Sequence, residues 1–307
     1  MITVFTPTYN RANLLLRLYE SLIAQTCKDF EWIIVDDGST DGTEDIVRDW
    51  CKAPLTSQEG EENSCHSLAA IKGGIRYIKQ PNGGKHRAIN RGVKEAKGEL
   101  FFIVDSDDSL TPDAIEWIHN ESKNIVDDRF AGLSGLRIHP NGNKIGGGEN
   151  YGIIETDAIS IRDKYKVRGD LAEIYKTQVL KNYPFPDIEG EKFCSEGLVW
   201  GRIAERYIMR YVYHGIYVCE YLSNGLTDNS IKNRFNSPNY AMLAYSEMAH
   251  HPKSSVKNRI KHKINFWIYS KKSIKNFSEK LKMIGLSSII YYPLALLIRL
   301  KYKQYDT

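Results

Sequence analysis

Three carboxylates stand within four residues at Asp105-Ser106-Asp107-Asp108, directly after the apolar run Leu100–Val104. Like charges this close repel one another unless a cation intervenes, so the cluster points to a divalent ion held by oxygen ligands. A second acidic pair, Asp36-Asp37, follows the apolar run Phe30–Val35. Carboxylates placed there can accept hydrogen bonds from a bound ligand. Between the two lies Gly83-Gly84-Lys85, a flexible turn that opens a helix. A helix N-terminus beside a lysine suits an anion. The GxxxxGK[ST] phosphate loop is absent, so the turn is not of that kind. A further acidic stretch, Asp187–Glu196, lies far along the chain.

The elements that must carry these groups alternate regularly. Ile2–Thr6, Phe30–Val35, Ile75–Lys79 and Leu100–Val104 read as strands. Helical spacing runs from Leu14 to Ile23, with Leu14, Leu15, Leu18 and Leu22 on the apolar face. Asp41 or Thr43 caps a second helix, His86–Ala96 reads as a third, and Thr111 and Pro112 read as N-cap and first residue of a fourth. Residues 52–70 are polar and aperiodic, a loop or insertion. Strands alternating with helices imply right-handed crossovers and a mostly parallel, covered sheet. The sequences TPTYNR, DDGS, NGGK and DSDD then all follow carboxyl ends of strands, where open α/β sheets bind ligands.

Composition sets the outer limits. The 307 residues are 42% hydrophobic and 26% charged, which excludes wholesale disorder, collagen-like repeats and coiled coil. Five scattered cysteines without CxxC spacing suggest reduced thiols. The opening MITVFTPTYN shows no signal-peptide pattern, so a cytoplasmic location is expected. Residues 252–307 carry 13 Lys and Arg against Glu279 and Asp306, a net +11, whereas the first 251 carry 29 basic and 36 acidic residues, a net −7. The uncharged run Ile289–Ile298 is too short to span a bilayer and contains Pro293. Aromatic and apolar residues beside lysines favour a membrane surface, through residues 252–303, over nucleic acid. Packing of this tail on the body, with its lysines merely solvated, is the alternative.

TPTYNR, the helix ending SLIAQT, FEWIIVDDGSTDGT, NGG…AINRG and FIVDSDD occur here in the order and spacing of a known family. Over residues 1–125, and more weakly over 185–225, the chain resembles the inverting family-two glycosyltransferases of the bacterial capsular, lipopolysaccharide and exopolysaccharide type. The resemblance implies a Rossmann-like GT-A nucleotide-sugar fold, mostly parallel with helices on both faces. It would be a catalytic domain over 1–225 followed by a C-terminal loop and basic amphipathic helical extension over 226–307. It implies transfer of a sugar from a UDP-sugar, with Mn²⁺ or Mg²⁺, to a saccharide acceptor, possibly lipid-linked, at the inner face of the plasma membrane. A cation there would neutralise the departing diphosphate as a Lewis acid.

The same resemblance distributes the roles. Asp107 is the main metal ligand, and Asp105 reaches the ribose or the metal, with Asp108 assisting. Asp37 lies against the base, Thr6, Pro7 and Tyr9 line the nucleoside pocket, and Lys85 meets the diphosphate or the uracil edge. Turn formation at Asp37 and a rim position for Tyr9 are the structural alternatives. Inversion needs a general base for the acceptor hydroxyl. Glu196, opening SEGLVWGRIA, aligns with the family's acidic pair, although Gly197 replaces its Asp; Glu191 and Glu189 are the fallbacks. A salt bridge from Glu196 to Arg202 would be a structural role instead. In the loop SNGLTDNSIKNR, Lys232 or Arg234 is either a diphosphate contact or an ordinary surface residue. A nucleotidyltransferase and an inactive nucleotide- or glycan-binding module are the rival readings.

Overall fold

The structure, a computed structural model, describes residues 1–52, 71–219 and 229–305. The polar stretch 53–70, Thr227 and Asp228 fall outside them. The residues divide into two compact units: Met1–Thr156, Val167–Pro184 and Tyr207–Glu220 in the first, and Asp157–Lys166, Phe185–Arg206 and Tyr221–Thr307 in the second. A single boundary near 225 was expected from the sequence. Residues 157–166 and 185–206 instead pack with the C-terminal helices, so the second unit is assembled from three segments.

The first unit opens with β1 (Ile2–Thr8), α1 (Ala12–Ile23), β2 (Phe30–Asp36), α2 (Thr43–Lys52), β3 (Ile75–Lys79) and α3 (Lys85–Glu95). It continues through β4 (Leu100–Ile103), β5 (Ser109–Leu110), α4 (Ala114–Ser122), β6 (Phe130–Ile138) and β7 (Ile153–Thr156). After α5 (Ser160–Asp163) in the second unit come β8 (Leu171–Lys176) and α6 (Thr177–Asn182) of the first. The short α7 (Gly197–Ala204) belongs to the second unit, and β9 (Ile208–Val218) completes the first. The rest of the second unit is helical: α8 (Ser230–Asn236), α9 (Pro238–His250), α10 (Val256–Tyr269), α11 (Phe277–Ile284) and α12 (Tyr292–Arg299), with short 3-10 turns between.

The strands form one mixed sheet in the order β3-β2-β1-β4-β8-β6-β9-β5, with β7 beside β9. The four strands legible in the sequence are all parallel: β1 with β2 and β4, and β2 with β3. All seven residues of β1 and of β2 are buried, as expected of strands covered on both faces. Leu15, Leu18 and Leu22 put one face of α1 on this sheet. Tyr19 stacks on Trp50 at 4.4 Å and Trp50 on Trp32 at 5.8 Å, joining α1, α2 and β2. Gly92 explains the AINRG motif: a Cβ there would lie 2.2 Å from the Phe5 ring, so α3 reaches β1 only with glycine. Beyond β4 the sheet is mixed: β8 runs antiparallel to both β4 and β6, and β6 pairs parallel with β9.

Because β2 and β3 lie on one side of β1 and β4 on the other, the winding reverses between β1 and β4. That reversal opens a crevice at the carboxyl ends of these two strands. Gln25, buried in the SLIAQT motif, braces it: its amide donates to the Thr111 carbonyl at 2.8 Å and its oxygen accepts the Ile115 N–H at 3.0 Å. The fourth helix thus begins at Ala114, later than Thr111 and Pro112, and takes its cap from α1 instead of its own N-cap residue. Replacing Gln25→Ala leaves the Ile115 N–H and the Thr111 carbonyl without these partners. A stability loss of about 1–3 kcal/mol is expected in urea unfolding; an unchanged midpoint would show that the brace carries no load.

Candidate functional site

The loop after β4 carries Asp105, Ser106, Asp107 and Asp108, and two cations from other elements meet it. Lys85, first residue of α3, places its ammonium 2.6 Å from Asp105 Oδ1. Arg137, near the end of β6, places its guanidinium 3.6 Å from Asp105 and 3.9 Å from Asp108. Tyr217 of β9 joins them: the Asp105 N–H donates to its hydroxyl at 2.9 Å, and the hydroxyl donates to Asp108 Oδ2 at 2.7 Å. The guanidinium of Arg137 lies over the Tyr217 ring, 4.2 Å from its centroid, while its Nε donates to the Leu171 carbonyl. From α1, Arg17 donates to the Asp107 carbonyl.

The two flanking carboxyls titrate in opposite directions. Burial alone would raise Asp105, but Lys85 and Arg137 outweigh it and hold the group below the ordinary aspartate value. Burial, reinforced by the charge of Asp105, pushes Asp108 up to about 6. Between them, Asp107 makes no side-chain hydrogen bond or ion pair to any described residue. Among the described residues no three His, Cys, Asp or Glu side chains gather into a ready-made metal cage. An unpaired, half-exposed carboxylate fits a hard cation whose remaining ligands are water and substrate phosphates, the usual arrangement for Mg²⁺. Asp105, already paired with two cations, fits that role less well.

Asp37 is buried and its carboxylate accepts from four donors: Gln80 Nε2 at 2.8 Å, Asn82 Nδ2 at 3.2 Å, and the N–H groups of Gly83 at 2.9 Å and Gly84 at 2.7 Å. These bonds shape the Gly83-Gly84 turn, in which Gly84 takes a φ of 99° and delivers Lys85 to Asp105. Asp36 is likewise buried, accepting from Tyr77 and from the Ser39 N–H. The TPTYNR and DDGST loops are stitched together, Asn10 accepting from the Thr40 N–H and the Asn10 N–H donating to Ser39. Of the expected pocket residues, Tyr9 is 49% exposed. Thr6 differs: its hydroxyl is buried and accepts the Trp32 indole N–H at 3.0 Å, pointing into the core, and Pro7 is buried beside it.

The acidic stretch 187–196 lies in the second unit. Glu191 is buried there and caps α9, accepting from the Asn239 N–H and side chain and the Tyr240 N–H, each at 2.8 Å. That is a structural task for a carboxylate listed among the base candidates by sequence. Glu196 is half-buried at the start of α7 and makes no side-chain cap. Arg202 pairs with Glu247 at 2.7 Å instead of with Glu196. Arg234 lies over the Phe193 ring within the same unit. The sequence reading did not single out Arg137, Tyr217, Arg17 or Gln25. For Arg137 a signal existed, a lone cation closing the apolar run of β6, but that strand had not been separated from its surroundings.

An α/β sheet with a carboxylate cluster and two cations at its winding reversal has the arrangement in which open α/β folds bind ligands outside the carboxyl ends of their strands. Residues 3–144 match the model of Glycosyl transferase family 2. Over 153 residues, 49% of this chain, the sequence is 31% identical to a chondroitin synthase and to a hyaluronan synthase of Pasteurella multocida. The chain spans 14% of the length of each of these two relatives. Among solved structures, S. aureus TarS residues 1–349 in complex with UDP align over 99% of this chain and 88% of their own, with a TM-score of 0.62 and 18% identity. A mannosyltransferase from Pyrobaculum calidifontis in complex with GDP-Man and Mn²⁺ aligns over 99% of this chain and 81% of its own, with a TM-score of 0.54 and 17% identity. Both structural likenesses speak to the fold.

Tyr217→Phe removes the hydroxyl bridging Asp105 and Asp108 while keeping the ring under Arg137. The fold should persist with a stability loss of about 1–3 kcal/mol in urea unfolding, the cost of a buried N–H left unpaired. Wild-type stability would mean that the bridge contributes nothing.

Proposed function

We propose that this chain transfers a sugar from a UDP-sugar to a saccharide acceptor, with inversion and a divalent metal, in the synthesis of a cell-surface polysaccharide. The observation that carries the reading is the convergence of Asp105, Asp107, Asp108, Lys85 and Arg137 at the carboxyl ends of the sheet. The match of residues 3–144 to the family model supports it, as do the named activities of the chondroitin and hyaluronan synthases. The donor class is supported by the UDP-GlcNAc complex of TarS, and Mn²⁺ by the complex of the Pyrobaculum enzyme.

In this proposal Asp107 holds the cation, with Asp105 reaching the ribose or the metal. Mn²⁺ or Mg²⁺, when bound, supplies Lewis-acid neutralisation of the diphosphate. The Lys85 ammonium, at a helix N-terminus, binds the diphosphate as an anion. Arg137 and Tyr217 hold the Asp105–Asp108 loop in position. Tyr9, exposed past β1, stacks on the base, and Asp37 acts on the nucleoside side through the turn it organises. Glu196 would take the proton from the acceptor hydroxyl as that oxygen attacks the anomeric carbon, whose bond to the diphosphate breaks and releases UDP with the bonding electron pair. Glu191 is committed to α9, so the base assignment rests on Glu196.

UDP release from a panel of UDP-sugars, with Mn²⁺ and with EDTA, tests the reading. Metal-dependent release from at least one donor is expected, and UDP binding without any release would leave a binding module. Asp107→Asn should nearly abolish transfer with the fold intact, and wild-type turnover at saturating Mn²⁺ would remove it as a ligand. Glu196→Gln keeps the shape but cannot accept a proton. UDP and metal affinity should persist while the transfer rate falls roughly 10²–10⁴-fold. Normal transfer with a lowered melting temperature would assign Glu196 a structural role and move the base elsewhere.

A further inference from the structure

The last helix of the second unit is turned inside out relative to a helix in water. Of α12, Ala295 and Arg299 are buried, at 1% and 5% exposure, whereas Leu294, Leu296, Leu297 and the following Leu300 are 45%, 41%, 64% and 56% exposed. A surface helix of a globular protein shows the opposite pattern. The rotation of α12 is fixed by its buried cation: the Arg299 guanidinium donates to the Ile268 carbonyl at 2.6 Å and lies 5.2 Å over the Phe235 ring. The turn before it is anchored too, since the Trp267 indole N–H donates to the Ser288 carbonyl at 3.1 Å. That anchor leaves Leu286 and Ile290 74% and 70% exposed. These outward residues are therefore held outward by specific contacts.

Cations surround the apolar face. Lys271, Lys282 and Lys301 are exposed, and Lys275 is half-exposed. Glu279 is the only acid between residues 252 and 305, and its carboxylate accepts the Asn276 N–H in a capping box at 2.7 Å. Among the described residues no single helix is long and apolar enough to cross a membrane, and α11 meets the 286–302 segment at a bend of 106°. An apolar face on a short, bent, lysine-flanked element matches an interfacial seat, where leucines enter the acyl boundary and lysines meet headgroups. A second copy of this chain fits poorly, because pairing two such faces would bring net charges of +11 together.

We infer that residues 286–300 dock this chain on an anionic lipid surface, with the leucine face of α12 and the tip at Ile290 inserted and the flanking lysines on the headgroups. A bacterial plasma membrane would supply such a surface on its inner face. The inference stands apart from the transferase reading, because docking requires none of the site residues.

Flotation of the full chain with vesicles of phosphatidylcholine, with and without phosphatidylglycerol, tests it. Binding is expected on the anionic vesicles, weaker on phosphatidylcholine alone, and reduced by salt. The triple variant Leu286→Ser/Ile290→Ser/Leu297→Ser should bind roughly tenfold or more weakly, with its circular dichroism and UDP release unchanged. A fluorophore on Ser287→Cys in an otherwise unaltered chain should shift to the blue on anionic vesicles, whatever the folding of the triple variant. Failure of the unaltered chain to float, or an unshifted fluorophore, would overturn the inference. So would equal binding by a folded triple variant, or a lipid-free dimer that this variant dissociates. Loss of UDP release alone, with flotation intact, would count against the transferase reading and leave docking standing.

Discussion

A half-buried arginine near the end of β6 faces two aspartates across 3.6 and 3.9 Å, its guanidinium over the ring of a buried tyrosine. Three carboxylates in four residues at a covered strand end would otherwise be an unstable arrangement, since desolvation and mutual repulsion both oppose ionisation. Removing one partner leaves the other charge uncompensated, at a cost that the partial exposure of Arg137 and Asp105, 16% and 23%, keeps below the about 3–5 kcal/mol of a fully buried pair. Arg137 and Tyr217 come from the mixed extension of the sheet, on strands β6 and β9 that pair parallel, and Asp105 and Asp108 from its all-parallel half. The extension is thus part of the site: without β6 and β9 the carboxylate loop would have neither its cation nor its hydroxyl bridge.

The parallel half was legible in the sequence because each of its strands is an apolar run ended by polar residues, and the first helix between them carries leucines at helical spacing. Ile2–Thr8, Phe30–Asp36, Ile75–Lys79 and Leu100–Ile103 lie within a few residues of the runs read from the sequence. The mixed half was not legible, because β6, β7 and β8 lie among glycines and charges whose pairing is set by distant strands. Strand β9 runs from Ile208 to Val218, and its outward positions Arg210 and His214 obscure the apolar pattern. The candidate site divides in the same way. Its acids and Lys85 belong to local motifs, whereas Arg137 and Tyr217 enter only through tertiary pairing across 32 and 112 positions of sequence from Asp105.

The second unit shows how one residue type can serve different physical ends in a short stretch. Glu191 and Glu196 are five residues apart, and sequence alone offers both as a base. Burial separates them: Glu191 accepts three N–H bonds at the start of α9, a position where a carboxylate is favoured by the helix dipole. Glu196 opens α7 without capping it, and Arg202, its expected partner, is taken by Glu247. A proton acceptor must keep a lone pair available for its substrate. Three accepted bonds at Glu191 make that costly in a way spacing could not reveal.

The charges around the carboxylate loop also order the roles of its members. Lys85 and Arg137 both bear on Asp105, holding it ionised, and Arg137 with the Tyr217 hydroxyl moderates Asp108, which burial still raises to about 6. Asp107 alone has no such counter-charge, and Arg17 fixes only its backbone carbonyl. The backbone is therefore positioned while the carboxylate is left unpaired, the combination a cation-binding ligand requires. Asp37 complements this from the other side of β1: by drawing the N–H groups of Gly83 and Gly84 onto itself, it fixes the turn that aims Lys85. Its influence on the anion-binding end of the site thus runs through the backbone of that turn, so the DDGS and NGGK motifs act as one unit although 46 residues separate Asp37 from Gly83.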